Sequence, residues 1–460
     1  MGMYYVRLPL THSATIIHGN ALKIDWKSVI TKHELSYILG NPPFVGFNSR
    51  NADQKADMAA IFNDISNYGK LDYVCSWYKK AAEYIQSTLI KCAFVSTNSI
   101  TQGEQVALLW KPLFEKHNIK IDFAYRTFQW TSAARGKAAV HCVIVGFSRA
   151  DVKTKRIIFD GEVETEAANV NPYLLDSPNI FVESRSKPLC DVPEMSVGNI
   201  TFDWGYLIFD EAEYTEFIIK EPGAQKYIKQ FMGGQEFVKG IKRYCLWLVG
   251  ANPTEIKKLP LVLERIENVR KSRLSSPDSG IRKLADFPMT FRDTRNPKNA
   301  IIIPMVTSER RKYIPLGFIN DDVITNSKVQ IIPNGTLYHF GILSSNVHMA
   351  WTRAVCGRMK SDYSYSKDIV YNNFVWCDVT ETQKSAIEKL AQGVLDARAL
   401  FPDSSLADLY DPLTMPPELS KAHRALDRAV MQAYGFSVRD MTEESCVAEL
   451  MRRYREIVGG

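Results

Sequence analysis

The chain is expected to open with an α/β layer, continue as an α+β region and finish in helices. Three observations predict this. Short apolar runs alternate with helix-spaced segments through residues 1–150, as in strand–helix–strand units around a largely parallel sheet. Residues 200–380 hold short strand-like runs broken by Pro, Gly and Asn, and residues 381–460 carry three long segments of helical period.

The elements follow in order. Thr15 to His18 and Tyr37 to Leu39 are short apolar runs that stop at Gly-Asn, as strands do when they end in a turn. Leu71 to Ile90 spaces Val74, Trp77, Tyr78, Ala81, Ala82, Ile85 and Leu89 for one wide helical face. Cys92 to Ser96 reads as a buried strand, Gly103 to Glu115 as a helix, and Ile119 to Arg126 and Ala138 to Phe147 as strands rich in β-branched and aromatic residues. From about 151 to 200 the chain is polar, with Pro172, Pro178, Pro188 and Pro193, and reads as a linker or lobe edge. Ala300 to Ile303, Lys328 to Ile332 and Thr336 to Phe340 are strand-like; Thr382 to Leu400, Glu418 to Tyr434 and Glu443 to Val458 are helical. In the second of these helices Leu419, Ala422, Leu426, Ala429, Val430 and Ala433 form a stripe that must pack on something.

Composition sets the class. With 460 residues, 45% hydrophobic and 23% charged, the chain has the balance of a soluble globular protein of about three domains. No uncharged apolar run approaches the ~18–20 residues that span a bilayer, and the first residues lack the order of a signal peptide. A cytoplasmic location is therefore expected. The eight cysteines are scattered without a CxxC pair, which predicts reduced, mostly buried thiols and no metal site. The net charge of +6 is uneven: between Lys239 and Lys298, 14 Lys/Arg face 6 Asp/Glu. That local +8 leaves −2 for the rest of the chain, the footprint of a polyanion-facing surface. Phe237, two residues before it, and Tyr244, Trp247, Phe287 and Phe291 within it make it a folded surface rather than a tail.

Gly40-Asn41-Pro42-Pro43-Phe44 follows the Tyr37 to Leu39 strand. Two prolines fix φ and drive the preceding Asn out of the helical region, giving a rigid ledge at a strand's carboxyl end. Asn41 offers a side-chain carbonyl and Pro42 a backbone carbonyl, two acceptors for one amino group, while Phe44 offers a face for stacking. Such a site suits an exocyclic aromatic amine. It needs no strong base, because the proton leaves after the nitrogen has become cationic.

With these residues the sequence resembles the gamma-class N6-adenine DNA methyltransferases. It is most similar to the methyltransferase and recognition part of the type IIG (type IIL) restriction–modification enzymes. The resemblance implies a partial class I, Rossmann-like sheet over 1–165, a target-recognition domain over 166–380 and a helical segment over 381–460. Asn41-Pro42-Pro43-Phe44 matches the family's catalytic motif of Asp, Asn or Ser, two prolines and an aromatic. The resemblance implies that Asn20, Ala21, Leu22 and Asp72 line the site of S-adenosylmethionine (AdoMet), and that Phe128, Trp130 and Asn98 shape the pocket of a flipped adenine. Phe128 and Trp130 flank Gln129, so both are expected on one exposed face. Segments around Arg243, Arg265 to Arg273 and Arg353 to Lys360 resemble the recognition domain. Lys242, Arg243, Arg265, Arg270, Lys271, Arg273, Arg353, Arg358 and Lys360 are thus expected to grip double-stranded DNA, with Tyr363 and Tyr365 beside the last three.

The family's glycine-rich cofactor loop and its ribose-holding acid lie upstream of the matching segments, as does a nuclease module. Only 17 residues precede His18, and they hold no such loop. The expectation is a fragment or split subunit that binds AdoMet poorly alone and takes the missing strands from a companion chain. Two alternatives stand at this point: a catalytically incompetent DNA-recognition subunit, and N4-cytosine as the target amine, although Asn paired with Phe favours adenine.

Overall fold

The computed structural model describes residues 14–130 and 140–459. It divides into two compact units between Phe181 and Val182.

The first unit is built on a six-stranded sheet. Its strands are β1 (Tyr37–Gly40), β2 (Lys91–Thr97), β3 (Ile119–Trp130), β4 (Val140–Arg149), β5 (Ile157–Asp160) and β6 (Val163–Glu166), in the order β1-β2-β4-β3-β5-β6. β1 runs parallel to β2 and β3 to β5, but β4 is antiparallel to both neighbours and β6 to β5. The sheet is therefore mixed rather than largely parallel. Only nine residues of chain separate 119–130 from 140–149, fewer than the dozen or so that a parallel crossover needs, which forces the antiparallel sense. The β5–β6 hairpin lies where a linker was expected: its Glu-rich outer strand hides a strand pairing behind a polar composition.

α1 (Ala52–Ile61), α2 (Cys75–Tyr84) and α3 (Gly103–Glu115) complete this layer. Tyr78 of α2 packs on Phe94 of β2, Phe147 of β4 and Trp110 of α3, burying the alternate residues of those strands. α3 matches its expected span. α2 is shorter than expected at both ends: Leu71 to Val74 form the approach to it, and Ser87 at φ 62° breaks the pattern beyond it. Thr15 to His18 is exposed coil, not a strand, since no neighbour pairs with it among the described residues.

The second unit contains three small sheets. β8 (Ile208–Asp210), β9 (Ile228–Met232), β10 (Arg243–Leu246) and β14 (Val323–Thr325) form one, in the order β14-β9-β10-β8. With α4 (Glu211–Lys220) and α7 (Pro260–Leu274) this sheet closes a core of Phe209, Phe217, Cys245, Trp247, Val262, Val269 and Phe291. β7 (Ser196–Val197), β11 (Asn299–Pro304), β13 (Gly317–Asn320) and β15 (Val329–Pro333) form the second sheet. β12 (Val306–Thr307) pairs with the hairpin β16 (Gly357–Met359)–β17 (Asp362–Ser364) in the third. The short helices α5 (Gly234–Lys239), α6 (Pro253–Ile256) and α8 (Ser279–Lys283) connect these parts.

Thr336 to Phe340 is helical, not extended. Thr336 caps α9 (Leu337–Leu343) in a capping box with His339, a signal stronger than the segment's aromatic content. α10 (Asn346–Val355), α11 (Glu381–Ala399), α12 (Leu406–Leu409), α13 (Pro417–Ala433) and α14 (Glu443–Val458) follow, the three long ones within a residue of expectation. α13 packs against α9, α10 and α11. Its buried face holds Leu419, Leu426 and Val430 as expected, and also His423 and Asp427. All eight cysteines are unpaired and seven are buried. Among the described residues no helix is long and apolar enough to cross a membrane.

Candidate active site

β1 and β2 are parallel and in register, with Gly40 opposite Phe94, so both release their carboxyl ends at one edge of the sheet. β1 runs straight into Asn41-Pro42-Pro43-Phe44. Pro42 is buried and anchors the ledge, Phe44 is half-buried, and Asn41 and Pro43 are exposed. The ledge thus reaches the surface through Asn41 and Pro43, as a chemical role requires. β2 releases a 3-10 turn, Asn98–Thr101.

A set of hydrogen bonds fastens the two ends together. Tyr73 N–H donates to the Val45 carbonyl (2.9 Å), directly after the ledge. The buried Asp72 carboxylate accepts from Phe47 N–H (3.0 Å), from the Ser99 hydroxyl and from the Thr97 hydroxyl (3.5 Å). Buried Arg50 donates to the carbonyls of Phe47 (3.1 Å) and Gly69. Asp72 is therefore neither a free carboxylate nor a side-chain cap of α2: it is the tie between ledge and turn. Asn98, buried, reaches Thr127 Oγ1 of β3 at 3.5 Å, one residue before Phe128. Phe128 and Trp130 lie on one face of β3, centroids 6.3 Å apart, with Phe128 half-buried and Trp130 45% exposed. They are not interior packing residues. A register irregularity between Tyr125 and Phe128 re-aims this end of β3. Ala138 and Ala139, at the start of the expected β4, lie outside the described residues.

The Asn20 loop is held to the same hub. Asn20 Nδ2 donates to Asp57 Oδ2 (2.8 Å), which also accepts from the Tyr73 hydroxyl (2.6 Å). Burial alone would raise the Asp57 carboxyl, but hydrogen bonds from Tyr73 and Asn20 and the Lys23 charge together hold it below the usual carboxylate range. Lys80 Nζ gathers the carbonyls of Ala21 (2.9 Å), Leu22 (2.7 Å) and Ile24 (2.7 Å). Arg50, Asp57, Lys80 and Ser99 were not singled out in the sequence. Nothing in their local spacing marks them, since apart from Phe47 for Arg50 and Thr97 for Ser99 their partners lie 16 or more residues away.

The nine expected DNA-contacting cations divide sharply. Arg273 is fully buried and donates to the carbonyls of Phe202 (2.9 Å), Leu284 (2.9 Å), Phe287 (2.8 Å), Thr290 (2.7 Å) and Thr201 (3.3 Å). It is a structural strut and no phosphate reaches it; burial pushes its guanidinium below the usual arginine range. Arg265, half-buried, lies over the rings of Phe209 and Phe217, 4.2 and 5.2 Å from their centroids, and pairs with Glu213, so its charge is already engaged within the unit. Arg353 is tied to Glu443 (2.8 Å), and Arg358 to Glu309 (3.6 Å) and the Tyr363 ring. Tyr363 and Tyr365 are buried, Tyr365 against His348 Nε2 at 2.9 Å, and so cannot support phosphate contacts. Lys242 and Arg270 are surface residues with loose ion pairs to Glu211 (3.2 Å) and Glu267 (3.8 Å), and Arg243 pairs with Glu236 at 3.2 Å. Lys271 is exposed on α7, and Lys360 is exposed at the tip of the β16–β17 hairpin with φ 59°.

Comparison with known proteins gives a consistent picture. Residues 2–160 match a family model described as the MmeI DNA-methyltransferase domain. Residues 176–378 match the MmeI target recognition domain and 379–460 the MmeI C-terminal domain. A curated DNA methyltransferase A of Bacillus subtilis (strain 168) is 42% identical over 453 residues, 98% of this chain and 51% of the relative. A solved structure of the type IIL restriction-modification enzyme MmeI in complex with DNA is 44% identical with a TM-score of 0.90, covering 99% of this chain and 62% of that one. The chain thus spans about half the length of the curated relative it matches.

Proposed function

From a chain that is composed of MmeI-family methyltransferase, target-recognition and C-terminal domains, we propose that this protein methylates N6 of adenine in a specific duplex DNA sequence, within a restriction–modification system. The observation that carries the reading is the exposed Asn41-Pro42-Pro43-Phe44 ledge at the carboxyl ends of two parallel strands, lashed through Asp72 to the Asn98 turn.

An adenine cannot react inside the base stack, so it is flipped out to the ledge. There Asn41 Oδ1 and the Pro42 carbonyl accept the two N6 hydrogens, which turns the nitrogen lone pair toward the incoming electrophile. Phe44 stacks on the base, and Phe128 or Trp130 covers its other side. The nitrogen loses its proton only after it has become cationic, so no histidine base is required.

The methyl donor in this reading is AdoMet, which supplies an electrophilic methyl group when bound. The residues present fit its adenine end. Asn20 is exposed, its amide nitrogen turned to Asp57 (2.8 Å) and its oxygen accepting from Leu22 N–H (2.9 Å), which sets the loop's backbone at the surface. Half-buried Ala21 and buried Leu22 add apolar surface. Asp72 acts in this reading as a positioning residue. DNA phosphates are met by the cations left at the surface: Lys242, Arg270, Lys271 and Lys360.

The test is methylation of duplex DNA by the chain with AdoMet, alone and with a companion polypeptide carrying the glycine-rich loop, read by sequencing of modified adenines. Asn41→Ala is expected to lower the rate about 100-fold or more with folding unchanged, because Asn41 is exposed. Undiminished adenine methylation by that variant would overturn the assignment. DNA binding without calorimetrically detectable AdoMet binding would support the recognition-subunit alternative instead.

A further inference from the structure

We propose that Phe287 is an apolar wedge through which the basic face of the second unit enters duplex DNA. This rests on the DNA-binding reading above. The aromatic residues of the basic stretch are not alike: Trp247 and Phe291 are core, Phe237 and Tyr244 are partly buried, but Phe287 is 68% exposed. Its ring makes no aromatic or cation contact with the described residues. The ring leaves in water apolar surface that its neighbours bury, so it is available to a partner.

The backbone beneath the ring is fixed. The Phe287 carbonyl accepts from buried Arg273 (2.8 Å), and Phe287 N–H donates to the Leu284 carbonyl (3.1 Å). The same guanidinium binds Leu284 and Thr290 on either side, and Thr201 and Phe202 from another strand of chain. Arg273 therefore acts as a positioning residue, holding the 284–290 loop at a set height while its ring stands free. A pre-ordered apolar projection loses little freedom on binding.

The surroundings identify the partner. From Arg282 to Lys298 five cations face two carboxylates, and one of these, Asp293, is already neutralised by Arg292 (3.0 Å) and Arg295 (3.3 Å). Cations suit phosphates, but a phenyl ring does nothing for a phosphate. An exposed ring within a cation-rich stretch of chain suits a duplex, where apolar side chains press between base steps and kink the helix.

The experiment uses the full chain and duplexes enriched by the wild-type protein from a random-sequence pool, with affinity read by anisotropy at several salt concentrations and bending by end-to-end energy transfer. Phe287→Ala is expected to bind about tenfold more weakly with an unchanged salt slope and less bending. Phe287→Leu is expected to recover most of both, and Leu413→Ala, an 84% exposed residue outside the basic stretch, to behave as wild type. Affinity within twofold of wild type together with unchanged bending in Phe287→Ala would overturn the wedge while leaving DNA binding intact. Failure of the wild-type chain to enrich any duplex would overturn both readings.

Discussion

The loops of the candidate active site and the 284–290 loop of the second unit are each fastened by a buried charge, of opposite sign in the two places. In the first, buried carboxylates collect donors: Asp57 from Asn20 and Tyr73, Asp72 from Phe47, Thr97 and Ser99. In the second, a buried guanidinium collects acceptors, five carbonyls around Arg273. Each anchor holds loops whose exposed residues are the candidates for function. The contrast teaches that a charged residue's type does not reveal whether it meets a ligand or positions what does. Burial decides, because a charge withdrawn from water must be surrounded by partners.

The comparison can be broken by removing the anchors. Arg273→Ala leaves five carbonyls without their donor and is expected to destabilise the second unit by about 3–5 kcal/mol. Denaturant unfolding followed by the exchange of its core amides reads this directly; a loss below about 1 kcal/mol would contradict the strut assignment. Asp72→Ala is expected to cost the first unit about 2–3 kcal/mol and to loosen the Asn98 turn, read by amide exchange at Phe47 and Ser99.

Acid should separate the units. Burial pushes His348 down to about 3 and His423 well below the usual histidine value. With folded values depressed, the unfolded chain binds more protons as pH falls below about 6.5, so stability present above that pH is lost at up to about 1.4 kcal/mol per pH unit for each histidine. Asp427, raised by burial, works the other way and tempers the loss. Asp57, held low in the first unit, gives stability that is lost only as pH falls below about 4. The second unit is thus expected to open first between pH 6 and 4, as amide exchange by mass spectrometry checks. The smallest effect is at the surface: Lys271→Ala should leave stability unchanged and lower the salt slope of DNA binding by about one.

Much of this was legible in the sequence for reasons that are local. The diproline fixes its own geometry, so the ledge could be placed from four residues. The Gly103 to Glu115 helix and the three C-terminal helices carry their period in the chain itself, and Gln129 between two aromatics marked their shared face. The misses have one cause. The β5–β6 hairpin, the helix after Thr336 and the antiparallel β4 depend on caps and partners that composition does not report. The +8 stretch is equally clear in sequence, but counting charges cannot separate Lys271, which faces water, from Arg273 two residues on, which is sealed inside.

The sequence by itself determined the diproline ledge, the Gly103 to Glu115 helix and the three C-terminal helices, because backbone restriction and apolar period act within a few residues of chain. Only the tertiary structure decided that Asp72 bridges two loops, that Arg273 is sealed inside and Arg265 held by Glu213 and the Tyr206 carbonyl, and that Phe287 stands exposed. Those outcomes turn on partners 25 to more than 70 residues apart, and a polar group's role is set by which of them folding brings within hydrogen-bond reach.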